Sequence, residues 1–544
     1  MSPEWILESL RGALEQWASY PEPERRFISA IGIEVHWVIL QYVMGLPLIS
    51  LVAQLLYLKT RDRFWEDLAW KMVKGFVIVF AVGAATGTAA EFGLILLWPN
   101  FTEAGGKWIY FPFYAEIYAF IIEVIFVYFL YYGWRRLGPI PRIVLTSLVI
   151  LGAWYSAAMI LAVNSFMVAP TGLQPAYTPG TGPLYGEGYP KITLYIPPEV
   201  AGAIDPERAK ALGIVVRESE GLVEASLPVK ITYRLFWEAS KGFTVSQSVL
   251  AEVLKPNALE ELGEASVAKV LDSILYYTLE VHDPLLYPLK SPVWLPSVGH
   301  AIGSGVVISA YTVAGAYALR LLRGSGDAKR SLRALRFSLA LAVASLAIQG
   351  AVLGHEQALA IAKYAPEVLA AMEGVTDEYF SISRHLLLGI PERLVAFLAY
   401  GSFSAPLPSY DQIPVDYCSF PDSPIVDCRP PILVHYLYYT KVGMALALGV
   451  ATLALLVKLY RWGSLGRRDL VVVAASPLVA QTVSFLGWAV REVGRKPFTV
   501  YGLFTPAEAA NPVGPDTASL ALVGVYLLAI LAVLGWAVYR FLWR

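Results

Sequence analysis

Nine apolar stretches, each long enough to cross a lipid bilayer, constrain the fold of this chain more than any other feature of its sequence. A transmembrane helix needs about 20 consecutive apolar residues. The stretches cover residues 28–58, 70–98, 109–133, 143–168, 296–322, 333–355, 432–460, 469–492 and 517–542. Only 16% of the 544 residues are charged, whereas soluble domains contain about 25%. The sequence therefore predicts an all-α polytopic membrane protein with about nine transmembrane helices.

The loops between these spans alternate in charge. Four loops are rich in lysine and arginine, and they cover residues 59–71, 134–142, 320–336 and 458–468. The loop 99–108, on the opposite side of the membrane, has a single basic residue, Lys107. Because basic loops stay in the cytoplasm, we predict a multi-pass protein of the cell membrane with its N-terminus outside and its C-terminus inside. The net charge of −1 gives no reason to expect a nucleic-acid partner.

Two segments on the predicted outer side are long. Residues 169–295 begin with a Gly/Pro-rich linker and contain the strand-like stretches KITLYIPP and VKITYRLFW with helical stretches between them. This pattern predicts a small extracytoplasmic α+β insertion. The predicted organisation is an amphipathic helix with spans 1–4 (1–168), the insertion (169–295), spans 5–6 (296–355), an external loop (356–431) and spans 7–9 (432–544).

The two cysteines of the chain, Cys418 and Cys428, both lie in the external loop. A metal or redox pair and two free thiols are alternatives. Ten residues of separation in a proline-rich loop favour a disulfide that closes the loop. Disulfides persist on the oxidising side of a membrane, which agrees with the orientation derived from the basic loops.

Several ionisable or metal-ligating side chains fall at membrane depth, where charged groups are costly and usually functional. One buried histidine is more often structural than a ligand, and a lone methionine usually fills a core. Convergence from six helices on the outer half of the membrane is harder to attribute to packing. Histidine and methionine are the usual axial ligands of a low-spin haem, while a lone histidine or carboxylate suits a haem with an open position. The residues are His36, Glu91, Glu116, Glu123, His300, Met444 and Glu492.

Five motifs, found in the same order along the chain, resemble those of subunit I of the cytochrome bd quinol oxidases. The resemblance covers nearly all of the chain except residues 169–295. Each motif is weak alone, but their order on nine spans makes the likeness specific. The motifs are GAATGTAAEFG (83–93), EVIFVYFLYYGWRRLG (123–138), HAIGSGVV (300–307), the quinol-loop pair LGHEQALAIAKYAPEVLAAMEG (353–374) with LLLGIPE (386–392), and EVGRKPF (492–498).

The resemblance implies three haems and their ligands. His300 and Met444 would ligate a low-spin haem b, with His435 as a fallback for the methionine. His36 and Glu492 would serve the dihaem oxygen site, which holds a high-spin haem b and a haem d or a substituting haem b; the resemblance leaves open which residue takes which haem. Arg495 and Lys441 would pair with haem propionates, and Trp488 would also belong to the cofactor site.

The same resemblance implies a quinol oxidase that reduces O2 to water. Glu123 and Ser156 match positions on the proton route from the cytoplasm, and Glu91 and Glu116 would act with them near the oxygen site. Glu373 matches a quinol-loop carboxylate that could accept a proton from quinol. The enzyme would be electrogenic without pumping protons, and would work in the lipid membrane with a second membrane subunit.

The chain departs from the family pattern at several positions. Glu116 lies seven residues before Glu123 where the family has eight, which rotates the side chain by about 100° on a helix. The span-7 Arg-x-Met run is replaced by Lys441-Val-Gly-Met444, and the motif at 492–498 has Lys496 and Phe498 where glutamine and tryptophan are usual.

Two alternatives remain open at this point. One is a bd-like quinol oxidase or electron-transfer protein with only b haems. The other is a proton-coupled secondary transporter without haem, whose buried glutamates and histidines bind protons or ions.

Overall fold

The computed structural model describes residues 3–20, 22–170, 173, 174, 191–283, 286–374, 388–510, 522, 524–526, 528, 529, 532, 533 and 536. Within these residues, eight helices are long and apolar enough to cross a membrane. They correspond to the first eight predicted spans, so the prediction of a mostly helical, polytopic membrane protein is confirmed. The predicted ninth span, 517–542, lies largely outside the described residues; Tyr526, which is described, donates a hydrogen bond to the carbonyl of Ala85 at 2.8 Å.

The described part of the chain is mostly helical, with its strands confined to the segment between the fourth and fifth spanning helices. In chain order the helices and strands are α1 (Pro3–Ser19), α2 (Pro23–Thr60), α3 (Arg63–Leu97), α4 (Pro99–Gly133), α5 (Pro139–Val168), β1 (Leu173–Gln174), β2 (Lys191–Ile196), α6 (Pro198–Ala203), α7 (Pro206–Ala211), β3 (Val215–Ser219), β4 (Leu222–Pro228), α8 (Val229–Ser240), α9 (Leu250–Val253), α10 (Pro256–Leu262), α11 (Val267–His282), α12 (Trp294–Leu322), α13 (Ala328–Ile348), α14 (Gly354–Tyr364), α15 (Pro366–Glu373), α16 (Ile390–Tyr400), α17 (Leu433–Trp462), α18 (Arg467–Gly494) and α19 (Pro506–Ala509). A π-helical turn, Gln349–Leu353, joins α13 to α14.

Local sequence signals set the ends of the spanning helices. Asp62 caps α3 by accepting a hydrogen bond from the backbone N–H of Phe64 at 2.9 Å, and Asp327 caps α13 in the same way. Proline occupies the first turn of α2, α4 and α5, where its missing N–H costs nothing. Because the eight spans alternate in direction, the four basic loops share one face of the bundle, here called the basic face. Residues 169–295 and the cysteine loop lie on the other, the insertion face.

The insertion contains a four-stranded antiparallel sheet with the order β1-β2-β4-β3. Within it, β2 pairs with β4 so that Ile192 lies opposite Leu227. The prediction of a small α+β insertion is confirmed, and KITLYIPP supplies β2 as expected. The strand prediction for VKITYRLFW was wrong, because Pro228 ends β4 and the next residues form α8. Tyr233 and Phe236 share the buried face of that helix, and this packing outweighs the preference of its β-branched residues for strands.

The insertion shares one hydrophobic core with two other parts of the insertion face. Ile192 of β2 and Tyr233 of α8 belong to the same buried cluster as Cys418 of the cysteine loop and Phe498, which follows α18. Gly502, at a φ of +71°, fits against Ile192, whose Cδ1 would overlap a Cβ at this position. The insertion therefore packs directly on the segment that follows the EVGRKPF motif.

Candidate functional site

His36 lies on α2 against a small-residue surface of α3. Its Nδ1 is 2.9 Å from the hydroxyl of Thr86. A Cβ on Gly87 would lie 2.9 Å from Cε1 of the histidine ring, so glycine is needed there for the ring to approach the helix. The GAATGTAAEFG motif thus provides the space beside this candidate ligand.

Glu492, near the end of α18, has both carboxylate oxygens engaged. Asn164 of α5 donates to its Oε1 at 2.7 Å, and Arg495 donates from Nη2 to its Oε2 at 2.7 Å. The other two guanidinium nitrogens of Arg495, Nε and Nη1, are buried without a hydrogen-bond partner among the described residues. Nε–H and Nη1–H leave different edges of the guanidinium, so they can donate to two separate acceptors in addition to Glu492.

His300, in the second turn of α12, faces the π-helical turn. The side-chain amide of Gln349 donates to the backbone carbonyl of His300 at 2.9 Å, and the side chain of Leu353 fits against Gly299 and Gly303 of α12. Gly303, one turn further along α12, packs so tightly on Gln349 that a Cβ there would overlap the amide oxygen. Nδ1 of His300 is buried and has no partner in the described part of the chain. Helical π-turns are frequent at functional sites.

An aromatic pair connects α2 to α18. The indole rings of Trp37 and Trp488 stack with their centroids 4.5 Å apart. Trp37 donates to the hydroxyl of Ser484 at 3.1 Å, and Ser304 of α12 donates to the same hydroxyl at 3.2 Å. Since Trp37 follows His36 and Trp488 is one turn before Glu492, these contacts place the three candidate ligand helices side by side.

The residues of α17 are arranged as follows. Lys441 lies with its Nζ 3.7 Å from the position of a Cβ on Gly487 and over the ring of Tyr438. Met444, one turn further, is half-buried. Nδ1 of His435 is 2.7 Å from the backbone carbonyl of Met372, so this alternative ligand is held in the external segment.

Four carboxyl and hydroxyl groups form a column along α4. The hydroxyl of Ser156 donates to Oε1 of Glu116 at 2.9 Å, and the carboxyl group of Glu91 lies close to that of Glu116. Glu123 is 2% exposed and packs on Gly152 of α5. The expected rotation of Glu116 does not remove it from this group, because Ser156 and Glu91 both lie on the side to which it turns.

Glu373 lies apart from these groups, at the C-terminal end of α15. Its carboxylate is fully buried and accepts a hydrogen bond from the hydroxyl of Tyr439 at 2.8 Å. A second carboxyl of the same helix, Glu367, is also buried, and burial raises its pKa to about 7, although the nearby Tyr501 hydroxyl opposes that rise. Two buried carboxyl groups thus lie on the insertion face.

The predicted cysteine pair is joined in the structure. The sulfur atoms of Cys418 and Cys428 are bonded at 2.04 Å, and both residues are 0% exposed. The loop they close also contacts α1, because Gln16 donates to the carboxylate of Asp427 at 3.3 Å, and Gln16 accepts from the backbone N–H of Ile432, just after the loop, at 3.1 Å.

The donor set fits haem better than a bare metal ion. Among the described residues there is no group of three or more His, Cys, Asp or Glu side chains that could hold a metal ion. Haem iron needs only one or two protein ligands, and haem carries propionates that require cationic or N–H donors. Unpartnered buried atoms of both kinds, His300 Nδ1 and Arg495 Nε and Nη1, occur in this layer.

Sequence reasoning missed two residues of the site. Arg491 donates through all three guanidinium nitrogens, to Asn164, to Ser297 and to Ser165. A charged residue beside Glu492 in an apolar run was visible in the sequence and should have been marked by the rule that ionisable groups at membrane depth are functional. Asn164 gave no such signal, since its bridging role depends on the register of α5 against α18.

Comparisons with known proteins identify the family of this chain. A family model for the cytochrome bd terminal oxidase subunit I matches residues 25–181 and 275–544. These ranges contain all of the predicted site residues and leave most of the insertion unmatched. A Bacillus subtilis (strain 168) protein that carries the provisional name cytochrome bd menaquinol oxidase subunit I is 24% identical over 524 residues, which are 91% of this chain and 89% of that protein.

A second relative and a solved structure extend the likeness. The cytochrome bd-II ubiquinol oxidase subunit 1 of Escherichia coli (strain K12) is 31% identical over 138 residues, 25% of this chain and 27% of that protein. The bd oxidase structure from Geobacillus thermodenitrificans aligns with a TM-score of 0.64 and 20% identity over 95% of this chain and 96% of that chain, which establishes a shared fold. Since the family model covers well over half of its length, this chain belongs to the cytochrome bd terminal oxidase subunit I family.

Proposed function

We propose that this chain is the haem-binding subunit of a bd-type terminal oxidase, which oxidises quinol at the outer face of the cell membrane and reduces O2 to water with protons from the cytoplasm. The observation that carries the proposal is the layer of buried, unpartnered donors around His300 and Arg495. Such groups are costly to bury unless a ligand satisfies them. Membership of the family supports haem as that ligand.

His300 and Met444 would hold a low-spin haem b, while His36 and Glu492 would hold the two haems of the oxygen site, a high-spin haem b and a haem d or second haem b. When bound, haem supplies iron that accepts electrons and the position at which O2 is reduced. The chain would supply the counter-charges: Arg495 has two N–H groups without a hydrogen-bond partner among the described residues, and Lys441 holds its ammonium against Gly487 of α18.

The column on α4 delivers protons to the oxygen site. Glu123 is nearest the basic face, and the linked side chains of Glu116, Ser156 and Glu91 continue toward the insertion face. Carboxyl and hydroxyl groups in such a chain are typical of proton relays in membranes.

Quinol is oxidised on the insertion face, where buried Glu373 accepts a proton. The hydroxyl of Tyr439 orients this carboxylate. The basic loops assign the insertion face to the outside, with the N-terminus outside and the C-terminus in the cytoplasm. Protons released outside and consumed from inside separate charge without a pump. A second membrane subunit completes the enzyme, as the family name implies by calling this chain subunit I.

A visible absorption spectrum of the purified protein tests the proposal. We expect a Soret band, b-type α bands and a far-red chlorin band. Bands of b type alone would indicate the b-only oxidase, and the absence of a Soret band would leave the haem-free transporter. The His300→Ala protein should lose the low-spin b signal, whereas His282→Ala, in the insertion, should keep it; a full low-spin signal in His300→Ala would refute the ligand assignment.

A further inference from the structure

Arg491 is bound on all sides by neutral groups of two other helices. Its Nη1 donates to the hydroxyl of Ser297 at 2.6 Å and its Nη2 to the hydroxyl of Ser165 at 3.0 Å. Its Nε donates to the side-chain carbonyl of Asn164. Unlike Arg495, it makes no ion pair within 4 Å among the described residues, so its charge is not cancelled by a direct partner.

Asn164 connects Arg491 to Glu492 through two hydrogen bonds. Because its amide oxygen accepts from the guanidinium, its NH2 group faces the carboxylate, and it donates to Oε1 of Glu492 at 2.7 Å. Arg491 thereby fixes the amide orientation that holds one oxygen of this candidate ligand.

The other end of Arg491 reaches the His300 site. Ser297 is one helical turn before His300 on α12, so its hydrogen bond fixes the guanidinium of Arg491 about one turn from the histidine. A cation beside an iron site stabilises the reduced form, which carries one positive charge fewer than the oxidised form. Because the hydrogen-bond partners of Arg491 are neutral, its positive charge can still stabilise the reduced iron. A carboxylate paired with Arg491 would remove this stabilisation.

We infer that Arg491 is a positioning and potential-setting residue: it holds Glu492 through Asn164 and raises the reduction potential of the haem bound by His300. This inference depends on the proposed function and deepens it. It assigns a role to a charge that lies outside the motifs by which the family was recognised. The arrangement favours electron transfer from quinol to this haem.

Spectroelectrochemical titration of the low-spin b band in the purified holoprotein tests the inference. For Arg491→Gln we expect about a tenfold fall in the equilibrium constant for reduction, which is 59 mV for a one-electron couple. Arg491→Lys, which keeps the charge, and Ser165→Ala, which removes one hydrogen bond, should stay within about twofold of the wild type. An unchanged potential in Arg491→Gln, or an equal fall in Arg491→Lys, overturns the inference.

A second variant keeps the test valid if Arg491→Gln fails to assemble. Ser165→Asp places a carboxylate against Nη2 of Arg491 and neutralises the charge without removing the guanidinium. Its potential should fall in the same direction, and an unchanged potential refutes the inference. If the wild type shows no haem bands, the proposed function fails and the inference with it; if the bands are present and the potentials do not move, only the inference fails.

Discussion

Ser156 donates a hydrogen bond from its hydroxyl to Oε1 of Glu116 at 2.9 Å, and so joins α5 to α4 at the level where Glu91 approaches from α3. Glu116 is one position closer to Glu123 than the family pattern has its glutamate, and this contact shows how it can still belong to the polar column. Three helices, rather than one fixed spacing, define the place where a proton can be held.

The first prediction concerns this column. Glu116→Gln should lower the rate of O2 consumption by about 100-fold, the usual contribution of a positioned acid or base, while the visible spectrum stays unchanged. Glu24→Gln, at an exposed position in the first turn of α2, is the matched control and should keep the rate. The rate of O2 consumption is measured with an oxygen electrode under steady-state conditions. A normal rate in Glu116→Gln would show that Glu116 is not on the proton route.

The second prediction concerns quinol oxidation. Glu373→Gln removes the buried acceptor to which Tyr439 donates, so quinol should reduce the haems about 100-fold more slowly. Tyr439→Phe should cause a smaller loss, because it removes only the orienting hydrogen bond. Stopped-flow reduction by quinol is the measurement, and reduction by dithionite is the control, since it bypasses the quinol site. Equal slowing with both reductants would indicate damage to the haems instead.

A third prediction tests the docking of the insertion. Gly502→Ala should destabilise the protein by ~2 kcal/mol through overpacking against Ile192, in addition to the strain of its φ of +71°. Gly242→Ala has a φ of +74° but no atom within 4 Å of the added Cβ. It therefore reports the backbone strain alone. Thermal unfolding in detergent should show the larger loss for Gly502→Ala, and equal losses would mean that the contact with Ile192 contributes little.

The disulfide gives a fourth prediction. Replacing Cys418 and Cys428 together with serine should cost about 3 kcal/mol, the loop-entropy value for a short closed loop. Both cysteines are 0% exposed, so the folded wild-type protein should resist reduction by dithiothreitol until it unfolds. Thiol labelling with and without denaturant checks this. Rapid labelling of the folded, reductant-treated protein would show that the loop opens freely.

The fifth prediction is a dependence of stability on pH. Burial raises the pKa of Glu367 from 4.5 to about 7. Between these values the folded state keeps a proton that the unfolded state has released, so this residue destabilises the protein increasingly as pH rises from 4.5 to 7, by ~3 kcal/mol in total. The stability of Glu367→Gln should therefore fall less than that of the wild type as the pH rises. Unfolding midpoints measured at pH 5 and pH 8 test this prediction, with the exposed substitution Glu199→Gln as the control. If the midpoint falls equally in the wild type and both variants, Glu367 is not the source of the pH dependence.

Hydropathy was sufficient to predict the spans, because only helices satisfy their backbone groups within a bilayer. The sequence failed where tertiary packing decides the outcome. Residues 229–237 have strand-forming side chains but form α8, since Pro228 stops β4 and Tyr233 is needed in a core that lies elsewhere in the chain.

The candidate site was predictable at the level of residue type and depth, but not in its connections. His36, His300 and Glu492 were identified as single residues at membrane depth. Their supporting contacts, such as those of Asn164 and Thr86, depend on which faces of different helices meet. That information requires the rotation of each helix, which a periodicity of 3.6 residues fixes only loosely when a helix is apolar on every side.

The common core of the insertion and the segment after α18 has a consequence for biogenesis. Tyr233 packs against Phe498, and roughly half of the chain is synthesised between them. The insertion therefore cannot complete its core as soon as it has been synthesised. It has to wait, with part of its apolar surface uncovered, until the residues after the eighth span arrive on the same side.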